Sequence, residues 1–211
     1  MVLRVIYSVI ETLLRNISGG LGRRFRYLYY KSRFGNCGQN IQIDEGVFFE
    51  NPGNISLGSN VWIDKQCIFI TGKLKIPIEN ITKQINPESI EEGALVIGDN
   101  VHLGIGTIIQ AHGGVQIGDY FTCSPGCKIY SVSNDVKKCK HGTYGEGEKH
   151  YIISPIKIED NVWLGMNVLV LGGTIGKDSF VAANSQVVSD IHENSFAMGT
   201  PSEKIKNRFE G

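Results

Sequence analysis

IEDNVWLGMNVL, residues 158–169, divides into two hexads, each opening on an aliphatic residue followed by an acid or a glycine. The same phase returns, with substitutions, in LGSNVW (57–62), IDKQCI (63–68), IGDNVH (97–102), LGIGTI (103–108), IGDYFT (117–122), CSPGCK (123–128) and VAANSQ (181–186). A phase held this often is a structural repeat and decides the fold before any secondary structure is assigned.

Each hexad suffices for one short strand and one corner. Three of them, about 18 residues, bring the chain back over its starting point, and successive rungs stack about 4.8 Å apart, the spacing of hydrogen-bonded strands. The first residue of each hexad, Leu57, Ile63, Ile97, Leu103, Ile117, Cys123, Ile158, Leu164 and Val181, points into a narrow triangular interior. The small or acidic residue after it eases the bend. Such a solenoid buries its core between neighbouring coils. Composition agrees: 26 glycines, six prolines and 41% hydrophobic content among 211 residues suit tight corners better than a doubly wound sheet or a bundle. The expectation is one all-β domain, a triangular parallel β-helix over residues 36–208, with excursions at about 75–94 and 135–155 and a helical segment over 1–35.

A formal net charge of zero gives no electrostatic reason to expect nucleic acid as a partner. Five cysteines, Cys37, Cys67, Cys123, Cys127 and Cys139, form an odd set without a CxxC pair, which favours neither a disulfide framework nor a zinc knuckle and fits a reducing, cytoplasmic setting. Cys123 and Cys127 read as small inward-facing hydrophobes of the repeat. Residues 1–17 carry a helical apolar period in a run too short and too charged to span a bilayer, and no small-residue cleavage site follows.

With the hexads in place, the chain resembles the hexapeptide-repeat acyltransferases, the left-handed parallel β-helix family of sugar, maltose, galactoside and polysaccharide O-acetyltransferases. The resemblance covers roughly residues 36–208. Its most specific part is SPIKIEDNVWLGMNVLVLGGTIGKDSFVAANSQVVSDIHENSFAMGTPSEKIK, which is similar to that family's C-terminal coils and tail. The left hand of the coil is implied by this resemblance, since ordinary parallel crossovers argue for the opposite hand. Two departures stand out: the corner VLGGTIG (170–176) lacks one residue of the family pattern, and Glu203 replaces the first basic residue of the tail, with Lys204 and Lys206 retained.

Acyl transfer to a hydroxyl needs a base within reach of the acceptor proton and a donor for the tetrahedral oxyanion. In the resembling enzymes a histidine stands in a stretch of the form Ile-Tyr-Thr-Ala-Thr-His; this chain reads IYSVSND at 129–135, so the histidine falls on Asn134. Asn can orient a substrate but cannot take its proton. Ile109 and Ile129 should stack, one coil plus a two-residue widening at AHGGVQ (111–116), which places His112 one rung from Asn134. His112 is therefore the candidate base, beside the alternative of a polar corner residue next to Gly113 and Gly114, and Asp135 is either its orienting partner or a solvated turn residue. His141 and His150, in the glycine-rich insertion 137–151, are alternatives acting on a neighbouring protomer. His102, His112 and His141 lack the paired spacing of the gamma-type carbonic anhydrases, so no metal is expected.

For the donor, the resemblance implies acetyl-coenzyme A in a groove between protomers of a homotrimer. It would be held by backbone groups at Gly165, Met166, Ala183, Val188 and Ser189, with Lys204 and Lys206 near phosphate. Trp163 either lies close to the acyl end or covers the next rung. The implied acceptor is a sugar or glycan. Three functions follow: O-acetyl transfer to a sugar hydroxyl, N-acetyl transfer to a nucleotide-linked amino sugar, and a binding or assembly module that has lost its base. Residues 19–34, GGLGRRFRYLYYKSRF, interleave five basic residues with aromatics, a mixture that suits either a cap over the open end of the solenoid or peripheral contact with an anionic membrane.

Overall fold

The computed structural model describes residues 2–83, 90–139 and 149–209, with side chains described from residue 7 onward, Ser8 excepted. Two helices, α1 (Val2–Asn16) and α2 (Gly19–Lys31), precede a prism with three flat faces. The first face stacks six strands from Asn36–Cys37 to Gly173–Ile175, and the third stacks six from Phe48–Glu50 to Gln186–Val187. The second begins with Gln42–Ile43 and runs to Phe180–Val181, then ends in Ser195–Gly199 paired antiparallel with Ser202–Asn207. Within the faces all other ladders are parallel, as the expected left-handed parallel β-helix requires.

The hexad reading places the core correctly. Leu57, Ile63, Ile97, Leu103, Ile117, Cys123, Ile158, Leu164 and Val181 are all buried, and so is Cys127. Corners after the first face use left-handed residues: Asn40, Asn60 and Asn100 all have positive φ, and asparagine tolerates that region better than other non-glycine residues. Their amides form a ladder, Asn40 Nδ2 donating to Asn60 Oδ1 at 3.0 Å and Asn60 Nδ2 to Asn100 Oδ1 at 3.0 Å. Beside it, Asp99, Asp119 and Asp160 each accept the backbone N–H of the rung next to them at 2.6, 2.7 and 2.8 Å. Asn60→Ala should cost about 2 kcal/mol, from a strained left-handed alanine and two broken amide bonds. A urea midpoint unchanged from the parent would contradict this.

Coil length departs from the expected 18. Early coils run twenty residues, as in the Asn40–Asn60 pair, and late ones seventeen, as in Asn161–Asp178. Among the described residues the difference falls at one edge, between the third and first faces: this corner holds residues 51–54 and 111–114 in early coils but only 171–172 later. The two excursions, 71–94 and 131–155, leave from the same edge. They join in a small flap, in which Tyr151–Ile153 pairs antiparallel with Val132–Asn134 and parallel with Ile81–Lys83. Lys138 Nζ ties the second excursion to Thr82 Oγ1 of the first at 3.0 Å.

Helix α2 closes the N-terminal end. Tyr30 and Phe34 cover Phe49, which stacks on Phe69 at 5.0 Å, so an aromatic column fills the prism's mouth. The other plug is polar. Arg26, 1% exposed, donates from Nε to the carbonyl of Ile43 and from one terminal nitrogen to the carbonyls of Leu14 and Ile17, at 2.7–2.8 Å. Burial pushes its pKa down.

Candidate active site

The edge that carries the excursions also carries His112. Residues 111–114 make a tight turn closed by Gly114 N–H to the Ala111 carbonyl at 2.9 Å. A Cβ on Gly113 would sit 2.3 Å from the Ser131 carbonyl, and one on Gly114 2.6 Å from the Glu91 carbonyl. Glycines are therefore required there, and they let the rung below a departing loop pack against it. His112 itself is half-buried, and its Nδ1 lies 2.6 Å from the carbonyl oxygen of Gly72. A carbonyl only accepts, so Nδ1 carries the proton and the lone pair of the neutral ring is at Nε2.

A groove opens where the flap rises from the third face. Gln110, Tyr130 and Leu171 form its floor, and Val132, Ser133, Asn134 and Tyr151 its wall. Asn134 thus faces the groove, while His112 follows Gln110 by two residues, round the corner. The Ile109–Ile129 stacking that links their rungs is present. No hydrogen bond joins His112 to Asn134 or Asp135 among the described residues. Asp135 is buried and shapes the start of the loop: its carboxylate accepts the Lys137 N–H at 3.2 Å and meets Lys138 Nζ at 3.7 Å. Its own N–H donates to the His150 carbonyl at 2.9 Å. His141 lies outside the described residues. His102 is held by Asp64 at 3.1 Å, and no group of three or more His, Cys, Asp or Glu among the described residues is placed to hold a metal ion.

The donor residues named from the sequence divide between two edges of the third face. Gly165 and Met166 form the corner between the second and third faces, and Ala183 lies on the next rung, its amide nitrogen 2.6 Å from where a Cβ on Gly165 would stand. Met166 is 56% exposed. Val188 and Ser189 lie at the other edge, beyond Leu171. Trp163 is on the second face, edge-on to Phe180 at 5.7 Å, with Nε1 3.3 Å from Ser124 Oγ. Lys206 sits over the Phe196 ring at 5.6 Å and Lys204 pairs with Ala197, so both basic residues of the tail stand at the C-terminal end of the face that carries Trp163.

This second-face column was missed in the sequence. Trp62, His102, Thr122, Trp163, Phe180 and Phe196 occupy equivalent outward positions on successive rungs, with Trp62 and His102 rings 5.1 Å apart. The signal was available as the sixth letter of LGSNVW, IGDNVH and IEDNVW, which the inward-facing first letters overshadowed.

Flat parallel faces, hexad corners and a loop-bearing edge define a hexapeptide-repeat β-helix. The comparisons with known proteins agree. A family model described as the hexapeptide repeat of succinyl-transferase matches residues 94–121 and 155–188. An Escherichia coli dTDP-4-amino-4,6-dideoxy-D-glucose acyltransferase is 26% identical over 83% of each chain. A galactoside O-acetyltransferase of Lactococcus lactis is 34% identical over 49% of this chain and 51% of its own. Relatives from Mycobacterium tuberculosis, Schizosaccharomyces pombe and Saccharomyces cerevisiae are matched over 38%, 26% and 55% of their lengths, so the chain spans about half or less of each. Among solved structures, the N-acyltransferase AntD of Bacillus cereus, in complex with dTDP-4-amino-4,6-dideoxyglucose and coenzyme A, superposes with a TM-score of 0.70 at 22% identity, covering 88% of this chain and 89% of that one. The chain thus carries the hexapeptide repeat over the matched residues and is similar to acyltransferases.

Proposed function

We propose that the protein is an acetyl-coenzyme A-dependent O-acetyltransferase acting on a sugar hydroxyl of a glycan or glycan precursor, as a homotrimer with its sites between protomers. The observation that carries this reading is the Gly72 carbonyl on His112 Nδ1, which leaves Nε2 as the proton acceptor a general base needs. Nε2 takes the hydroxyl proton as the oxygen attacks the thioester carbon. A backbone N–H of a C-terminal coil holds the tetrahedral oxyanion. Collapse breaks the carbon–sulfur bond, and the departing thiolate receives the proton from the imidazolium. Asn134, in the groove wall, orients the acceptor through its amide. Exposed Ile105 and Met166 on the corner between the second and third faces support burial against another protomer, with the donor running along that corner.

A second reading keeps the donor and makes the acceptor the amino group of a nucleotide-linked sugar. It is favoured by the match over 83% of both chains to the E. coli acyltransferase named for such a sugar. Incubating the protein with acetyl-coenzyme A and a panel of sugars, glycans and dTDP-amino sugars, while following thiol release and product mass, separates the two. Ester formation is the expected result and amide formation selects the second reading. Coenzyme binding with no thiol release from any acceptor would overturn both and leave a binding module.

A further inference from the structure

Helix α2 is built the wrong way round for a helix that ends its role at the prism. Its buried stripe is Gly22, Arg26 and Tyr30, whereas Leu21, Phe25 and Leu28 point outward, 62%, 42% and 58% exposed. Their spacing of four and three residues sets them on one face. Arg24 and Lys31 are also exposed, beside that stripe. Helix α1 lies against α2, tied by the Leu14 carbonyl to Arg26 and Glu11 to Tyr29, and leaves Tyr7, Val9, Ile10 and Leu13 exposed. Seven large apolar side chains are thus gathered on the two helices that close one end of the molecule.

The charge of that end narrows what covers it. Residues 1–34 contain seven basic residues, Arg4, Arg15, Arg23, Arg24, Arg26, Lys31 and Arg33, against one acid, Glu11; with Arg23 paired to Asp44 and Arg26 buried, a basic excess still remains at this end of a chain whose whole formal charge is zero. A second copy meeting it cap to cap would bring like charge against like. A partner with an apolar interior beneath an anionic surface complements both properties. The helices do not cross such a layer: at 15 and 13 residues they are about 20 Å long, and no helix among the described residues is long and apolar enough to span.

We infer that α1 and α2 dock the protein on the surface of an anionic phospholipid bilayer, with Leu21, Phe25 and Leu28 seated in the interface and Arg24 and Lys31 among the headgroups. The test is flotation of the full chain with vesicles of phosphatidylcholine alone or mixed with phosphatidylglycerol. The parent protein should float with the mixed vesicles and be released by high salt. Arg24→Glu with Lys31→Glu should weaken partition about 30-fold, and Leu21→Ser with Phe25→Ser and Leu28→Ser about 100-fold. Far-UV circular dichroism keeps a folding failure separate from a binding loss, since all five positions are exposed. Failure to float with the mixed vesicles, undiminished flotation of the triple variant, or a change in its oligomeric size without lipid would each overturn the inference.

Discussion

His112→Asn lowers the turnover number about 10²–10⁴-fold while coenzyme affinity stays at the parent value, the loss expected when a general base is removed and the donor groove is untouched. Asparagine is the informative replacement because it keeps an N–H able to reach the Gly72 carbonyl, yet has no lone pair that titrates near neutral pH. The corner then remains closed and the chemistry alone is lost. His112→Ala removes both, so a fall in melting temperature confined to the alanine variant measures the structural share of the bond. An unaffected rate in His112→Asn would move the base elsewhere, with His141 and His150 next in line. The reverse change, Asn134→His, restores the residue of the resembling enzymes to the groove wall; if it rescues His112→Asn, the two positions serve one acceptor.

Arg26→Ala is expected to destabilise the helical cap by about 4 kcal/mol. The carbonyls of Leu14, Ile17 and Ile43, the last of them buried and the others partly so, lose a charged donor. Two of the three belong to α1 and the link that follows it, and the third to the first rung of the second face, so a single side chain fastens both helices to the prism. Because coils of a solenoid contact mainly their neighbours, the damage should stay local. Limited proteolysis should release residues 1–34 early, and amide exchange should quicken there, while strands around Ile117 and Ile158 keep parental protection. Exchange that rises evenly over all coils, or not at all, would contradict the assignment. Loss of the cap would also abolish vesicle flotation, but through unfolding, which the exposed-face variants avoid.

The parts of the architecture that were legible in the sequence are those fixed by residues six apart. Inward Leu57, Ile97 and Leu164 could be named because each hexad repeats one local rule. The stacking of Ile109 on Ile129 could be named because one widened corner accounted for the extra residues. What escaped depends on contacts between segments that an insertion separates. His112 meets Gly72 forty positions away, across the first excursion, so no periodicity announces the bond. The two excursions share a flap through Ile81–Lys83 and Tyr151–Ile153, which neither segment's composition reveals. Asp135 has the chemistry to orient an imidazole, but the local turn to Lys137 and Lys138 claims it first. Arg26 reads as a solvated basic residue because the carbonyls it meets, those of Leu14, Ile17 and Ile43, lie 9 to 17 positions away on separate segments.

The edge that absorbs every change of coil length has a meaning beyond shape. An extra residue inside a face would turn each following side chain inside out and empty the core rung by rung. At that edge it costs only the slow logarithmic entropy of a longer loop, about 0.6 kcal/mol for each doubling. The groove with Asn134 opens at this same line. With the acceptor bound in this groove, as proposed above, its choice can be rewritten by lengthening or trimming one seam, in steps small enough to be tolerated singly, while the stack behind it never has to be renegotiated.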